Sequence, residues 1–138
     1  MEISFKNKLV LVTGSTKGIG FCIANHLSNL GANVIFNSRT CNKNKLKKLM
    51  IDSSKHFIAD VSDFSNAENL LKQIKKKYGL LDHIVCNVGN GSSLNMKNGS
   101  FEEINMMLKR NLFPSSNILS ISPNYMVKEK SIKKKHLD

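Results

Sequence analysis

The chain has 138 residues, of which 41% are hydrophobic and 22% are charged, and its formal net charge is +11. This length allows one domain with a core, and no stretch approaches the roughly twenty apolar residues of a membrane span. The N-terminus lacks the basic-then-apolar layout of a signal peptide, so we expect a cytoplasmic protein with no membrane partner.

Four short apolar runs are typical of buried parallel strands. They occupy residues 9–12, 34–36, 57–59 and 84–86. Helical patterns separate them, and such alternation implies right-handed crossovers within a parallel sheet. The predicted fold is α/β, a Rossmann-like doubly wound parallel sheet of four strands in the order 3-2-1-4. We expect it to be incomplete, because the full order of this fold continues with strands 5 and 6.

Three helices are predicted between these strands. The first carries an apolar stripe and is closed by Gly31 at a C-cap position. The stripe consists of Ile19, Ile23, Ala24, Leu27 and Leu30. The second helix is short, with Leu46, Leu49 and Met50. The third opens with a capping box of Ser65 and Glu68 and ends at Gly79.

The pattern changes after the fourth strand. Residues 101–117 predict a helix, interrupted by Pro114, and its apolar side would lack the packing of a complete fold. That side carries Ile104, Met107, Leu108 and Leu112. From residue 128 the chain is too charged for a fifth buried strand. We therefore expect one domain, residues 1–127, and a basic tail, residues 128–138, that is disordered or a frayed helix.

Cysteine, histidine and lysine supply few functional signals. The three cysteines suggest neither a disulfide framework nor a zinc site, and we interpret Cys22 and Cys86 as small buried residues. The four histidines are treated as structural or surface residues. The lysine clusters at residues 43–48 and 72–77 are interpreted as solvated helix faces. Nucleic-acid binding is the less favoured alternative and would show a steep salt dependence.

The segment between the first strand and the first helix carries the clearest functional signal. It reads Thr13-Gly14-Ser15-Thr16-Lys17-Gly18-Ile19-Gly20. Its glycines permit a sharp turn, and the helix that follows offers free N–H groups and a positive dipole end to a pyrophosphate. Phe21 and Cys22 stand where a P-loop needs Lys and Ser or Thr. We interpret the segment as a dinucleotide cradle, with an ordinary glycine-rich turn as the alternative.

The end of the second strand indicates the type of dinucleotide. Enzymes that bind NAD place an acidic residue there to hold the ribose 2′-hydroxyl. This chain has no Asp or Glu between Glu2 and Asp52, and its second strand is followed by Arg39, which can pair with a 2′-phosphate. Lys17, at the start of a helix, also suits a nearby anion. We predict NADP over NAD; the alternative is that both cations are simple surface charges.

The T-G-x-x-x-G-I-G pattern resembles the cofactor loop of the classical short-chain dehydrogenase/reductase family. Asp60 and Val61 resemble the pair that contacts the adenine ring in that family. Asn87 and Gly89 match its Asn-Asn-Ala-Gly motif, from which the neighbours of Asn87 and Gly89 depart. Asn111 lies where the family carries a catalytic Asn that holds a water in a proton relay. The alternative for Asn111 is an incidental residue in an Asn-rich chain.

The resemblance implies hydride transfer between NADP(H) and a carbonyl or alcohol substrate. It also implies a catalytic Ser and a Tyr-x-x-x-Lys pair, which we do not find, since Glu129 stands four residues after Tyr125. We expect a truncated chain that is not catalytically competent alone; the alternatives are a non-catalytic NADP-binding module or an inactive fragment. Complete family members are usually homo-oligomers, and this chain lacks their usual interface helices.

Overall fold

A computed structural model describes residues 3–90 and 99–128, and the strands within them form one parallel sheet. They are β1 (Leu9–Val12), β2 (Asn33–Ser38), β3 (His56–Ile58) and β4 (His83–Val85). Their order is β3-β2-β1-β4, and every neighbouring pair is parallel. The predicted α/β fold and strand order are confirmed. Because all four strands run the same way, the loops that follow them meet at one edge of the sheet.

Helices cover both faces of this sheet. In the described ranges they are α1 (Gly18–Asn29), α2 (Lys43–Lys48), α3 (Phe64–Tyr78), α4 (Phe101–Asn111) and α5 (Phe113–Ile121), and short 3₁₀ turns occupy Ser53–Lys55 and Ser122–Asn124. None of the helices in these ranges has the length and apolar character needed to cross a bilayer.

Strand β1 divides the core into two layers, because successive side chains of a strand point to opposite faces. Leu9 and Leu11 pack on the side of α3 and α5, whereas Val10 and Val12 pack on the side of α1 and α2. All four are buried. Full burial of each such side chain contributes about 1.5–3 kcal/mol, so β1 anchors the loop that follows it.

The predicted stripe of α1 is confirmed at Ala24, which is buried, and at Ile23 and Leu27, which pack against the core, but not at Ile19. Ile19 is 75% exposed, and the buried residues of α1 are Gly20 and Ala24. Cys22 was expected to be buried but is exposed, because it lies two residues from both Gly20 and Ala24 and therefore on the opposite side of the helix. Small residues on the inner face allow α1 to lie close to the sheet.

Two other helix ends correct the sequence predictions. Asp63 caps α3 by accepting a hydrogen bond from the Asn66 N–H at 2.8 Å, so Ser65 lies inside the first turn and the predicted capping box was wrong. A capping box does occur at the start of α4 between Ser100 and Glu103. Met50 lies beyond the end of α2 and is exposed.

The predicted helix of residues 101–117 is two helices, α4 and α5. Pro114 lies in the first turn of α5, where its missing N–H is not needed. None of the α4 residues is buried, and Phe101 is 73% exposed. After α5, Met126 forms an isolated parallel bridge with Leu81, so the chain returns to the open side of β4. The predicted tail, apart from residue 128, lies outside the described residues.

Asp82 joins the amino ends of β1 and β4. Its carboxylate accepts a hydrogen bond from the Leu9 N–H at 2.8 Å and pairs with Lys8 Nζ at 3.1 Å. The Leu9 hydrogen bond is the main cause that lowers the pKa of Asp82 below its ordinary value. A carboxyl group with a lowered pKa stabilises the fold above its unfolded-state pKa and loses that contribution as the pH falls.

We therefore expect Asp82→Asn to flatten the acid dependence of stability. The wild-type free energy of unfolding should fall more steeply than that of the variant between about pH 5 and about pH 2. Urea titrations of both proteins across this range measure the difference. Parallel curves would contradict this account of Asp82.

Candidate functional site

A cleft with a volume of about 520 Å³ opens at the carboxyl edge of the sheet, within the range of cofactor sites, about 300–1,000 Å³. The loops after all four strands line it, together with Arg110 of α4 and Pro114 of α5. The predicted site residues on its surface are Gly14, Thr16, Lys17, Gly18, Ile19, Arg39, Asp60, Val61, Asn87 and Gly89. The cleft thus gathers residues that are widely separated in sequence.

The glycine-rich loop owes its shape to two different demands on its three glycines. Gly14 and Gly18 have φ angles of 63° and 54°, in the left-handed region that favours glycine. Gly20 has no place for a side chain, since a Cβ there would lie 2.5 Å from the Gly14 carbonyl oxygen and would also collide with the Asn87 amide. Gly20 therefore lies behind the loop and lets α1 approach it closely.

Ser15 and Asn37 fasten this loop to β2. The Ser15 N–H donates to the Asn37 carbonyl at 2.9 Å, and the Asn37 N–H donates to Ser15 Oγ at 3.0 Å. Asn37 Nδ2 donates to the carbonyls of Phe57 and Ala59, both at 3.2 Å, and its Oδ1 accepts from the Gly14 N–H at 3.4 Å. Asn37 is 1% exposed. It was not predicted as a site residue, although a polar residue at the end of an apolar run was a visible signal.

Asn87 fastens the loop to β4. Its Nδ2 donates to the carbonyls of Thr13 and Gly14, both at 3.3 Å, and its backbone N–H donates to Thr13 Oγ1 at 3.0 Å. Thr13 is buried and its hydroxyl donates to the Val85 carbonyl at 3.4 Å. These bonds hold the ends of two neighbouring strands together beneath the cleft.

Asn111 lies just outside the cleft surface, at the end of α4. Its Oδ1 accepts a hydrogen bond from the Asn90 N–H at 2.7 Å, and its Nδ2 donates to the Met107 carbonyl at 3.1 Å. The same Oδ1 lies 3.3 Å from the position of a Cβ on Gly89. Asn111 therefore holds the backbone that follows β4.

Asn117 on α5 is a further residue that sequence reasoning missed. Its Nδ2 donates to the Val61 carbonyl at 3.1 Å and to the Ser62 carbonyl at 3.0 Å. Val61 is 1% exposed and belongs to the core. The helix thereby positions the loop after β3, which lines the cleft opposite the glycine-rich loop.

Asp60 remains a carboxylate in this loop. Partial burial alone would raise its pKa, but hydrogen bonds from the Ser62 hydroxyl at 2.7 Å and from the Ser62 N–H at 3.0 Å lower it, and the nearby charges of Arg39 and Lys109 add to this effect. The net result is a pKa below the ordinary value. Asp60 is thus a fixed hydrogen-bond acceptor at the cleft.

The rest of the cleft is electropositive. Lys17, Arg39 and Arg110 line it, and the ion pairs found within residues 3–90 and 99–128 involve other residues. The first turn of α1 contains no acidic residue, and the side chain of Lys17, its N-cap, makes no capping hydrogen bond. A helix N-terminus with free N–H groups and nearby cations is a favourable site for an anion. No group of three potential metal ligands occurs in the described part.

Comparison with known proteins gives consistent matches. The family model described as short chain dehydrogenase matches residues 8–132. An uncharacterized oxidoreductase of Staphylococcus epidermidis is 28% identical over 127 residues, which are 91% of this chain and 55% of the relative. The 3-oxoacyl-[acyl-carrier-protein] reductase of Rickettsia bellii is 36% identical over 116 residues, covering 79% of this chain and 46% of the relative.

Solved structures of dehydrogenases also match this chain. Ligand-free aldohexose dehydrogenase from Thermoplasma acidophilum superposes with a TM-score of 0.77 at 25% identity, covering 91% of this chain and 47% of that one. The chain therefore spans about half the length of the proteins that it matches.

Proposed function

Because the chain belongs to the short-chain dehydrogenase family, which implies a nicotinamide dinucleotide cofactor, we propose that it is an NADP(H)-binding part of an oxidoreductase. The complete activity would be hydride transfer between the cofactor and a carbonyl or alcohol substrate. The chain spans about half the length of its relatives, so the activity and the substrate belong to the proposal.

The cleft fits a dinucleotide. In this proposal the pyrophosphate lies against the N-terminus of α1, whose N–H groups can donate to it. The absence of a side chain at Gly20 allows the preceding loop to pack closely against the helix. The first turn of α1 contains no acidic residue that would repel the phosphates. The adenine ring lies beside Asp60, an acceptor held ionised by Ser62, and beside the backbone of Val61. The bound cofactor would supply or accept the hydride, while these residues hold it in place.

The preference for NADP(H) depends on one observation above all: Arg39, which follows β2, lines the cleft without an ion-pair partner among the described residues. A guanidinium in this position can form paired hydrogen bonds with a phosphate. The carboxylate that would select the 2′-hydroxyl of NAD is not found at the end of β2, where the sequence continues Ser38-Arg39-Thr40.

Asn111 is the proposed catalytic residue of the complete enzyme. The family resemblance assigns it the holding of a water in the proton relay. Its hydrogen bond with the Asn90 N–H at 2.7 Å supports a second contribution, because it orders the backbone next to Gly89 at the rim of the cleft.

Titration of the purified chain with NADPH and NADH tests the proposed preference. One charge-assisted contact with the 2′-phosphate contributes about 1.5–3 kcal/mol, so NADPH should bind roughly 10-fold to 100-fold more tightly than NADH. Equal affinities, or tighter binding of NADH, would contradict the preference, and no binding of either would contradict the cofactor site.

A non-catalytic module is the second candidate function. It is favoured by the sequence, in which neither Tyr78 nor Tyr125 is followed four residues later by Lys. NADPH oxidation with simple ketones, followed in the same samples, tests the absence of catalysis: binding without turnover is expected of both candidates, and clear turnover by this chain would contradict the non-catalytic module.

A further inference from the structure

A chain of two hydrogen bonds joins β3 to the turn that carries Arg39. Ser38 Oγ lies 2.7 Å from the Thr40 carbonyl oxygen and 2.7 Å from His56 Nε2. A serine hydroxyl has one hydrogen, and a carbonyl oxygen can only accept. Ser38 therefore donates to Thr40, and His56 must carry its proton on Nε2 and donate to Ser38.

Arg39 lies between the two residues that the first of these hydrogen bonds joins. Ser38 and Thr40 are its chain neighbours, and their hydrogen bond closes the turn around it. His56 is the first residue of β3 and pairs with Phe36 in the sheet. Its hydrogen bond therefore attaches Ser38 to the paired strands. His56 itself is absent from the cleft lining, whereas Ser38 and Arg39 both belong to it.

The sheet does not depend on this chain of bonds. Asn37 Nδ2 already ties β2 to the Phe57 and Ala59 carbonyls, and the ladder between β2 and β3 continues past His56 to Ile58. Removal of the His56 donor would therefore leave the Ser38 hydroxyl free to rotate away from the Thr40 carbonyl, which loosens the turn at Arg39 while the strands remain paired.

We propose that His56 is a positioning residue for cofactor selection: through its Nε2–H it holds Ser38, and through Ser38 it keeps Arg39 directed at the 2′-phosphate. The inference rests on the proposed preference for NADP(H). A turn that is ordered before binding saves the conformational entropy of fixing it, about 1–2 kcal/mol per residue. NADH has no phosphate at this position, so its affinity should not depend on the turn.

Two variants of the full chain test this role. The Gln amide nitrogen reaches the position of imidazole Nε2, whereas the shorter Asn amide reaches only that of Nδ1. His56→Asn should weaken NADPH binding by about fivefold to thirtyfold and leave NADH binding within about twofold. His56→Gln should retain the wild-type ratio of the two dissociation constants. Urea midpoints of both variants monitor the fold.

The outcomes distinguish this inference from the proposed function. A wild-type chain without a preference for NADPH would overturn both. A wild-type preference that His56→Asn leaves unchanged would overturn the role of His56 alone. Equal losses in His56→Asn and His56→Gln would also overturn it, because the donor restored in the Gln variant would then have no effect. A loss of NADH affinity that matches the loss of NADPH affinity would indicate a purely structural residue.

Discussion

Gly20→Ala should abolish measurable cofactor binding and lower the free energy of unfolding by about 3 kcal/mol. The added methyl group would collide with the Asn87 amide and lie 2.5 Å from the Gly14 carbonyl oxygen. That carbonyl accepts a hydrogen bond from Asn87, so the loop, the start of α1 and the end of β4 must all shift. Urea denaturation and NADPH titration measure the two effects.

Gly18→Ala provides the matched control in the same loop. A Cβ on Gly18 would meet nothing within 4 Å, so its cost comes only from the left-handed φ of 54°. Such a conformation costs a non-glycine residue roughly 1–2 kcal/mol. Gly18→Ala should therefore be clearly less destabilising than Gly20→Ala. Equal losses of stability would contradict the interpretation that close packing, rather than backbone conformation, requires Gly20.

Arg39→Asp should reverse the cofactor preference. The carboxylate would repel the 2′-phosphate of NADPH and could accept a hydrogen bond from the ribose 2′-hydroxyl of NADH. We expect NADPH affinity to fall by about 100-fold or more, since both the loss of a charge-assisted bond and a like-charge repulsion act together. NADH affinity should rise. Because Arg39 is exposed, stability should change little, so dissociation constants for both cofactors are the appropriate measurement.

Arg110→Asp tests whether a specific contact of Arg39 with the 2′-phosphate, or the overall positive charge of the cleft, selects the cofactor. Arg110 also lines the cleft, but it lies on α4 and not at the end of β2. The same change of charge there should weaken both cofactors through their shared pyrophosphate and leave their ratio near the wild-type value. A reversal of preference by Arg110→Asp as well would indicate that net charge, and not the position of Arg39, selects the cofactor.

The sequence by itself determined the sheet. Apolar runs of a few residues that alternate with helical patterns have few solutions, because parallel strands need crossovers of one hand. The confirmed order β3-β2-β1-β4 is the first part of the doubly wound order that this alternation predicted. The glycine-rich loop was equally visible, since the left-handed residues Gly14 and Gly18 are a local requirement of the turn.

Local sequence patterns did not predict the correct residue where two nearby residues suit the same position and contacts in the folded protein decide between them. Ile19 and Gly20 are both compatible with an inward face of α1, and only the proximity of Asn87 and the Gly14 carbonyl requires the residue without a side chain. Ser65 was a plausible cap for α3, but Asp63 begins the helix two residues earlier. Tertiary contacts in the folded protein decide between such alternatives.

The polar framework of the cleft was decided by tertiary structure alone. Asn37 bonds residues 20 and 22 positions away, Asn117 bonds residues 55 and 56 positions away, and His56 meets Ser38 across 18. The neighbouring sequence does not distinguish Asn117 and His56 from others of their type, and the position of Asn37 at the end of an apolar run does not reveal its hydrogen-bond partners. Their roles arise because parallel strands bring their carboxyl ends to one edge, where each loop must find hydrogen-bond partners on the next. Sequence therefore placed the loops, and the fold selected the side chains that hold them.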